Sequence, residues 1–127
     1  MGYYTNYTLT QTGCAKRDIK RLEDEIEKLN VFEDGAIEDG LYGYAKWYDY
    51  DIDMRLLSRR FPGVVFYLEG DGENSDDLWG NYYMDGRAQY GALEVVEYPF
   101  DEAQLDKKPF VDDGQPYSYE IRAEKGS

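Results

Sequence analysis

The chain has 127 residues, enough for one domain with a two-layer core. Its 14 Lys and Arg stand against 27 Asp and Glu, a formal net charge of −13, and it contains no histidine and one cysteine. That balance excludes an internal disulfide, Ser-His or Cys-His catalysis and an ordinary zinc site. It also opposes direct binding to nucleic acid or an anionic membrane.

An aromatic fraction of 17% argues for a folded chain despite the charge. Residues Tyr3 to Thr10 alternate, with Tyr3, Thr5, Tyr7 and Leu9 on one side, and predict a first strand that ends at Thr12-Gly13. Ala15 to Asn30 predicts a helix whose apolar stripe is Ile19, Leu22, Ile26 and Leu29. Its charges run against the helix dipole. Lys16, Arg17, Lys20 and Arg21 come early, and Glu23, Asp24, Glu25 and Glu27 come late. The pairs Arg21–Glu25 and Lys20–Asp24 offset part of that. Cys14, at the start of this segment, reads as a small, partly buried residue.

Val31 to Leu41 carries two glycines among acids and reads as an acidic loop. Tyr42 to Tyr48 predicts a second strand, with Tyr42, Tyr44 and Lys46 on one face and Gly43, Ala45 and Trp47 on the other. Asp51 or Asp53 is positioned to cap a second helix running to Arg60, with Met54, Leu57 and Phe61 as its buried stripe and Pro62 as its stop. Val64 to Leu68 predicts a central strand, apolar on both faces.

Gly70 to Asp77 reads as an acidic loop, and Leu78 to Met84 as the next strand. Asp85-Gly86 is the strongest local signal, since a tight hairpin needs positive φ at both positions. Arg87 to Tyr98 is expected as the hairpin partner, with Gly91 marking a bulge. A helical turn is expected around Glu102–Leu105, and Tyr117 to Ala123 alternates like an edge strand or a docked tail. Residues 1–125 read as one α+β domain, with Gly126-Ser127 as a short appended tail. The expected architecture is a two-layer sandwich: a mostly antiparallel sheet with two helices on one face.

The run from Ser58 to Gly86 joins Phe61-Pro62, Phe66, Gly70, Trp79-Gly80 and Asp85-Gly86. It resembles small ferredoxin-like α+β domains carried by plasmids and phages, in which a helix ending in Phe-Pro feeds a strand, an aromatic-x-Gly strand and a hairpin. The resemblance implies a ferredoxin-like variant and a mobile-element setting. It transfers no catalytic residue. In that setting the expected role is an inhibitor or anti-defence protein, of an anti-CRISPR or DNA-mimic type.

Function beyond that rests on surface chemistry. Carboxylates that imitate phosphates would occupy a basic groove of a nucleic-acid-handling protein, anchored by exposed aromatics. The candidate partner-binding residues are Asp49, Asp51, Asp53, Asp71, Glu73, Asp76, Asp77, Trp79 and Tyr83. No catalytic residue, cofactor or metal is expected. Two other readings stand beside this one. An accessory or structural protein would use its acidity for solubility alone, with a homodimer forming through a sheet edge. A carboxylate hydrolase would draw on Glu69, Asp71, Glu73, Asp76 and Asp77. Asp71, Glu73, Asp76 and Asp77 also cluster oxygens of the kind calcium takes, at a spacing unlike an EF-hand, and a solvated loop is the simpler account. No run reaches transmembrane length, and MGYYTNYTL lacks the basic and apolar regions of a signal peptide, so a cytoplasmic setting is expected.

Overall fold

Alternation in β1 (Thr5–Thr12) turns Thr5, Tyr7 and Leu9 inward and leaves Asn6, Thr8 and Thr10 on the opposite face. The computed structural model describes residues 3–74, 77–92, 98–107 and 110–125. After β1, a 3-10 turn at Lys16–Asp18 leads into α1 (Ile19–Glu27). The 19/22/26/29 stripe faces the core as its spacing requires, with Leu22, Ile26 and Leu29 no more than 4% exposed and Ile19 partly buried. Asn30, at φ 55°, takes the left-handed conformation that turns the chain away from the helix.

The reversed charge gradient of α1 has a partial explanation in its neighbours. Lys20 does pair with Asp24 at 2.8 Å. Arg21 instead lies over the Phe61 ring, 4.1 Å from its centroid. Glu25 reaches Arg60 of the second helix at 3.4 Å.

Two short strands follow, β2 (Asp34–Ala36) and β3 (Gly40–Ala45), then α2 (Tyr50–Arg60). Three more strands come next: β4 (Val65–Gly72), β5 (Leu78–Met84) and β6 (Arg87–Gln89). The sheet order is β2-β3-β1-β4-β5-β6, and every ladder is antiparallel. Two crossovers are therefore interlocked. β1 and β2 run parallel with β3 between them, and β3 and β4 run parallel with β1 between them. The α+β class and the antiparallel sheet with helices on one face match the expectation.

The register aligns the inner face. Leu9 faces Leu68, Leu68 faces Asn81, and Phe66 faces Tyr83. Leu9, Leu68, Phe66 and Tyr83 have no exposed surface, and they meet Leu22 and Ile26 of α1 and Met54, Leu56 and Leu57 of α2 in one core. Gly70, opposite Trp79, leaves room for the indole, since a Cβ there would collide with the Trp79 ring. Asp85 at φ 53° and Gly86 at φ 78° form the tight turn that their identities predict.

Several expectations change. The 31–41 stretch contains β2, a three-residue edge strand whose residues are all exposed, so it carries no burial period for sequence reading to detect. β4 runs on to Gly72, and the acidic loop is correspondingly shorter. Asp49, with no side-chain cap bond, holds the N-cap position of α2, so Asp51 and Asp53 fall in the first turn. The partner strand of β5 is β6, three residues long, with one further bridge from Ala92 to Trp79. The rest of the expected 87–98 strand falls partly on residues 93–97, outside the described residues.

The C-terminal stretch is a helix, α3 (Ser118–Lys125), not an edge strand. Its first turn is held partly from elsewhere. Asp53 Oδ1 accepts the Ser118 amide at 2.9 Å, and Glu120 reaches back to the Tyr117 amide at 3.0 Å. Gly126-Ser127 lies outside the described residues.

Candidate docking surface

The two faces of the sheet differ in what covers them. The inner face packs against α1 and α2. On the outer face, β5 is partly covered by the segment after residue 97. Tyr98 donates its hydroxyl to the Gly80 carbonyl, and the Tyr98 and Phe100 rings pack on Tyr82 at centroid distances of 5.6 and 5.4 Å. Burial pushes the Tyr98 phenol up to about 12.

Over β2, β3, β1 and β4 the outer face presents Tyr42, Tyr44, Asn6, Thr8, Glu69 and Asp71, with Asp34 beside Tyr42 on β2. Tyr42 and Tyr44 are 52% and 54% exposed. Tyr4 stacks on Tyr44 at 4.8 Å and 19°, and Lys46 rests 5.1 Å over the Tyr4 ring. Strands β1 to β5 contain no Lys or Arg, and Lys46, which rests over Tyr4, comes from just beyond the end of β3. Between Tyr42 and Tyr44 lies an open hollow of about 260 Å³, bordered also by Asn6, Thr8, Glu33 and Asp34.

A second hollow, of about 900 Å³, lies beside α2 and is lined by Asp51, Ile52, Arg55, Tyr90, Asp106, Lys107 and Phe110. Its carboxylates are already matched. Arg55 donates to Asp51 at 3.0 Å and forks onto both oxygens of Asp106. Asp51 Oδ1 also accepts the hydroxyls of Tyr83 at 3.0 Å and Tyr90 at 2.7 Å. The Arg55 bond holds the Asp106 carboxyl below its ordinary range. Burial, with the bond to Asp51, pushes the Tyr90 phenol up to about 12. Both carboxylates are thus occupied by donors of the chain itself, and the cluster ties α2 to β6 and to Asp106.

The candidate residues read from the sequence do not form one patch. Asp71 and Glu73 lie on or just beyond β4, where Glu73 accepts the Tyr4 amide at 2.6 Å. Asp77 is partly buried and accepts the Tyr3 hydroxyl at 2.7 Å. Trp79 turns to the inner face, stacked on Tyr50 at 4.6 Å. Asp49 is exposed at the start of α2, 3.9 Å from Arg122. Two of the nine are not surface groups at all. Tyr83 has no exposed surface, and Asp53 is 2% exposed and bound to Trp47 Nε1 at 2.7 Å and to Ser118. Both are correctly understood as core residues, because their positions on β5 and α2 face the helix–sheet interface. Asp76 lies outside the described residues.

Tyr42, Tyr44, Glu33 and Asp34, which line the outer-face hollow, and Tyr4, stacked on Tyr44, are not among those nine, although the alternation of residues 42–48 placed Tyr42 and Tyr44 on a common face. Burial keeps Cys14 in its thiol form by raising its pKa, with the Asp18 charge adding to it. Among the described residues, no group of three or more carboxylates and cysteine gathers closely enough to hold a metal ion, and no helix is long and apolar enough to cross a membrane. No family model, curated protein or solved structure matches this chain.

Proposed function

We propose that this chain is a non-enzymatic acidic binding protein that occupies a basic, nucleic-acid-handling surface of another protein. The observation that carries the reading is the outer face of β2, β3, β1 and β4. There, exposed tyrosines stand among carboxylates on strands that hold no Lys or Arg. Carboxylates steer association with a basic groove and set its orientation, while tyrosines supply buried contact area at low entropic cost. The same charge repels nucleic acid and anionic lipid, which directs the face toward protein.

The setting proposed is that of a phage or other mobile element, with the chain acting in the cytoplasm as an inhibitor of a host nuclease or surveillance complex. Support for a ferredoxin-like variant comes from the first four strands. They follow the order β-α-β-β-α-β and lie 2-3-1-4 in the sheet, with β5 and β6 extending it.

The test is capture from a bacterial lysate on the immobilised chain at low salt, with competition by duplex DNA. Captured proteins are expected to be nucleic-acid binders, released by DNA or by raised salt and lost when Glu69 and Asp71 are replaced by lysine. Capture that survives both DNA and charge reversal would refute the reading.

A further inference from the structure

The chain repeatedly solves one recognition problem with arginine. Arg60 lies 4.9 Å over the Tyr117 ring and forks onto Asp112 at 2.9 and 3.2 Å. Arg55 lies 5.8 Å from the Tyr90 centroid, donates to the Tyr90 hydroxyl at 2.6 Å and bonds Asp51 and Asp106. In each case a tyrosine ring and a carboxylate stand side by side, and a guanidinium joins them. Stacking and a two-pronged hydrogen bond suit the planar guanidinium and not the compact ammonium of lysine.

The outer-face hollow offers the same pair of groups. Asp34 sits opposite Tyr42 in the β2–β3 ladder, and Glu33, whose amide bonds the Tyr42 carbonyl at 3.0 Å, also lines the hollow. Tyr42 and Tyr44, two positions apart on β3, stand roughly 7 Å apart at the backbone. Each ring gives the hollow an aromatic wall. The Tyr4 ring stacked on Tyr44 supports that wall. Asn6 and Thr8 add uncharged hydrogen-bonding groups along the side formed by β1. Among the described residues lining the hollow there is no Lys or Arg.

We propose that this hollow receives an arginine side chain of the basic partner, its guanidinium lying against Tyr42 or Tyr44 and paired with Asp34 or Glu33. The inference rests on the docking role above and adds what the partner must present: arginine rather than diffuse positive charge. The face then selects among basic surfaces, because a lysine ammonium cannot lie flat on a ring and fork onto a carboxylate at once, as a guanidinium can.

Labelled octa-arginine and octa-lysine peptides, titrated by fluorescence anisotropy at one low ionic strength, test it. The parent chain is expected to prefer octa-arginine by about fivefold or more. The double variant Tyr42→Thr, Tyr44→Thr, which keeps strand-forming residues on β3, is expected to lose that preference while retaining weak, salt-sensitive binding to both peptides. Asp34→Asn with Glu33→Gln is expected to weaken octa-arginine more than octa-lysine. For a readout on the unaltered chain, arginine amide should shift the backbone amide resonances of Gly43 and Asn6 by NMR, and lysine amide should not. Equal affinity for the two peptides, or a preference that survives the tyrosine replacement, overturns the arginine site and leaves the docking role standing. Failure of the lysate capture to respond to DNA or charge reversal removes the docking role itself.

Discussion

Asp53→Ala is the most demanding test of how the helical layer is assembled. The Asp53 carboxylate is 2% exposed and accepts three donors: Trp47 Nε1–H at 2.7 Å, the Ser118 amide at 2.9 Å and the Ser118 hydroxyl. Truncation leaves the indole and the amide without acceptors in a site that water does not reach, while the hydroxyl can turn elsewhere. Each stranded donor costs about 1–3 kcal/mol, so the variant should lose roughly 4 kcal/mol. Relief from burying a carboxylate works the other way and keeps the loss below the sum of three charged hydrogen bonds. With a urea dependence of about 2 kcal/mol per molar, the midpoint should fall by about 2 M. Equilibrium unfolding followed by tryptophan fluorescence and circular dichroism measures it. Asp53→Asn, which keeps one acceptor oxygen, should fall between the variant and the parent. Asp49→Ala, at an exposed site whose nearest cation is 3.9 Å away, should stay within about 0.5 kcal/mol. A loss below about 1 kcal/mol for Asp53→Ala would refute the claim that this carboxylate pins α3 to α2.

Acid should act through Asp106 and Asp112, whose carboxyls are held below their ordinary range by hydrogen bonds from Arg55 and Arg60. A lowered folded-state pKa means that their contribution is complete above about pH 4 and is lost as pH falls through the folded values, so thermal melts should drop steeply there. Asp106→Asn should flatten that acid limb. At the alkaline end, burial raises Tyr7 to about 12 and raises Tyr117 and Tyr83 as well. The unfolded chain then releases phenolic protons first, and stability should decline above about pH 10, as absorbance at the phenolate band will report. Gly86→Ala forces a side chain onto φ 78° and within 3.2 Å of Phe110 Cβ, and should cost about 1–2 kcal/mol and several degrees of melting temperature. Asp85→Asn, which tolerates the left-handed conformation and keeps an oxygen for the Gly63 amide, should be nearly neutral.

Local chemistry carried much of the fold. The 19/22/26/29 spacing was enough to bury one face of α1, because a 3.6-residue period brings those side chains together whatever lies opposite. Phe61-Pro62 stopped α2, and Asp85-Gly86 set the β5–β6 turn, since both depend on φ and on nearest-neighbour sterics. The alternation at Tyr42, Tyr44 and Gly43 sorted inside from outside on β3 before its partner strands were known.

Which acids are surface groups was set by contacts across the fold. Asp49, Asp51 and Asp53 look alike in the chain. One is exposed, one is bound by Arg55, Tyr83 and Tyr90, and one is buried under Trp47 and Ser118. Arg55 and Trp47 lie within six residues of the carboxylates they bind, but Tyr83, Tyr90 and Ser118 come from 32 to 65 residues away, outside any local window. The C-terminal helix was hidden for a related reason: Tyr117, Tyr119 and Ile121 alternate as a strand would, but one of the two acceptors that hold its first turn, Asp53, belongs to α2. Charge, aromatic content and the periods of single elements belong to the sequence. Which faces stay open, and which carboxylates keep their lone pairs for a partner, depends on contacts made across the fold.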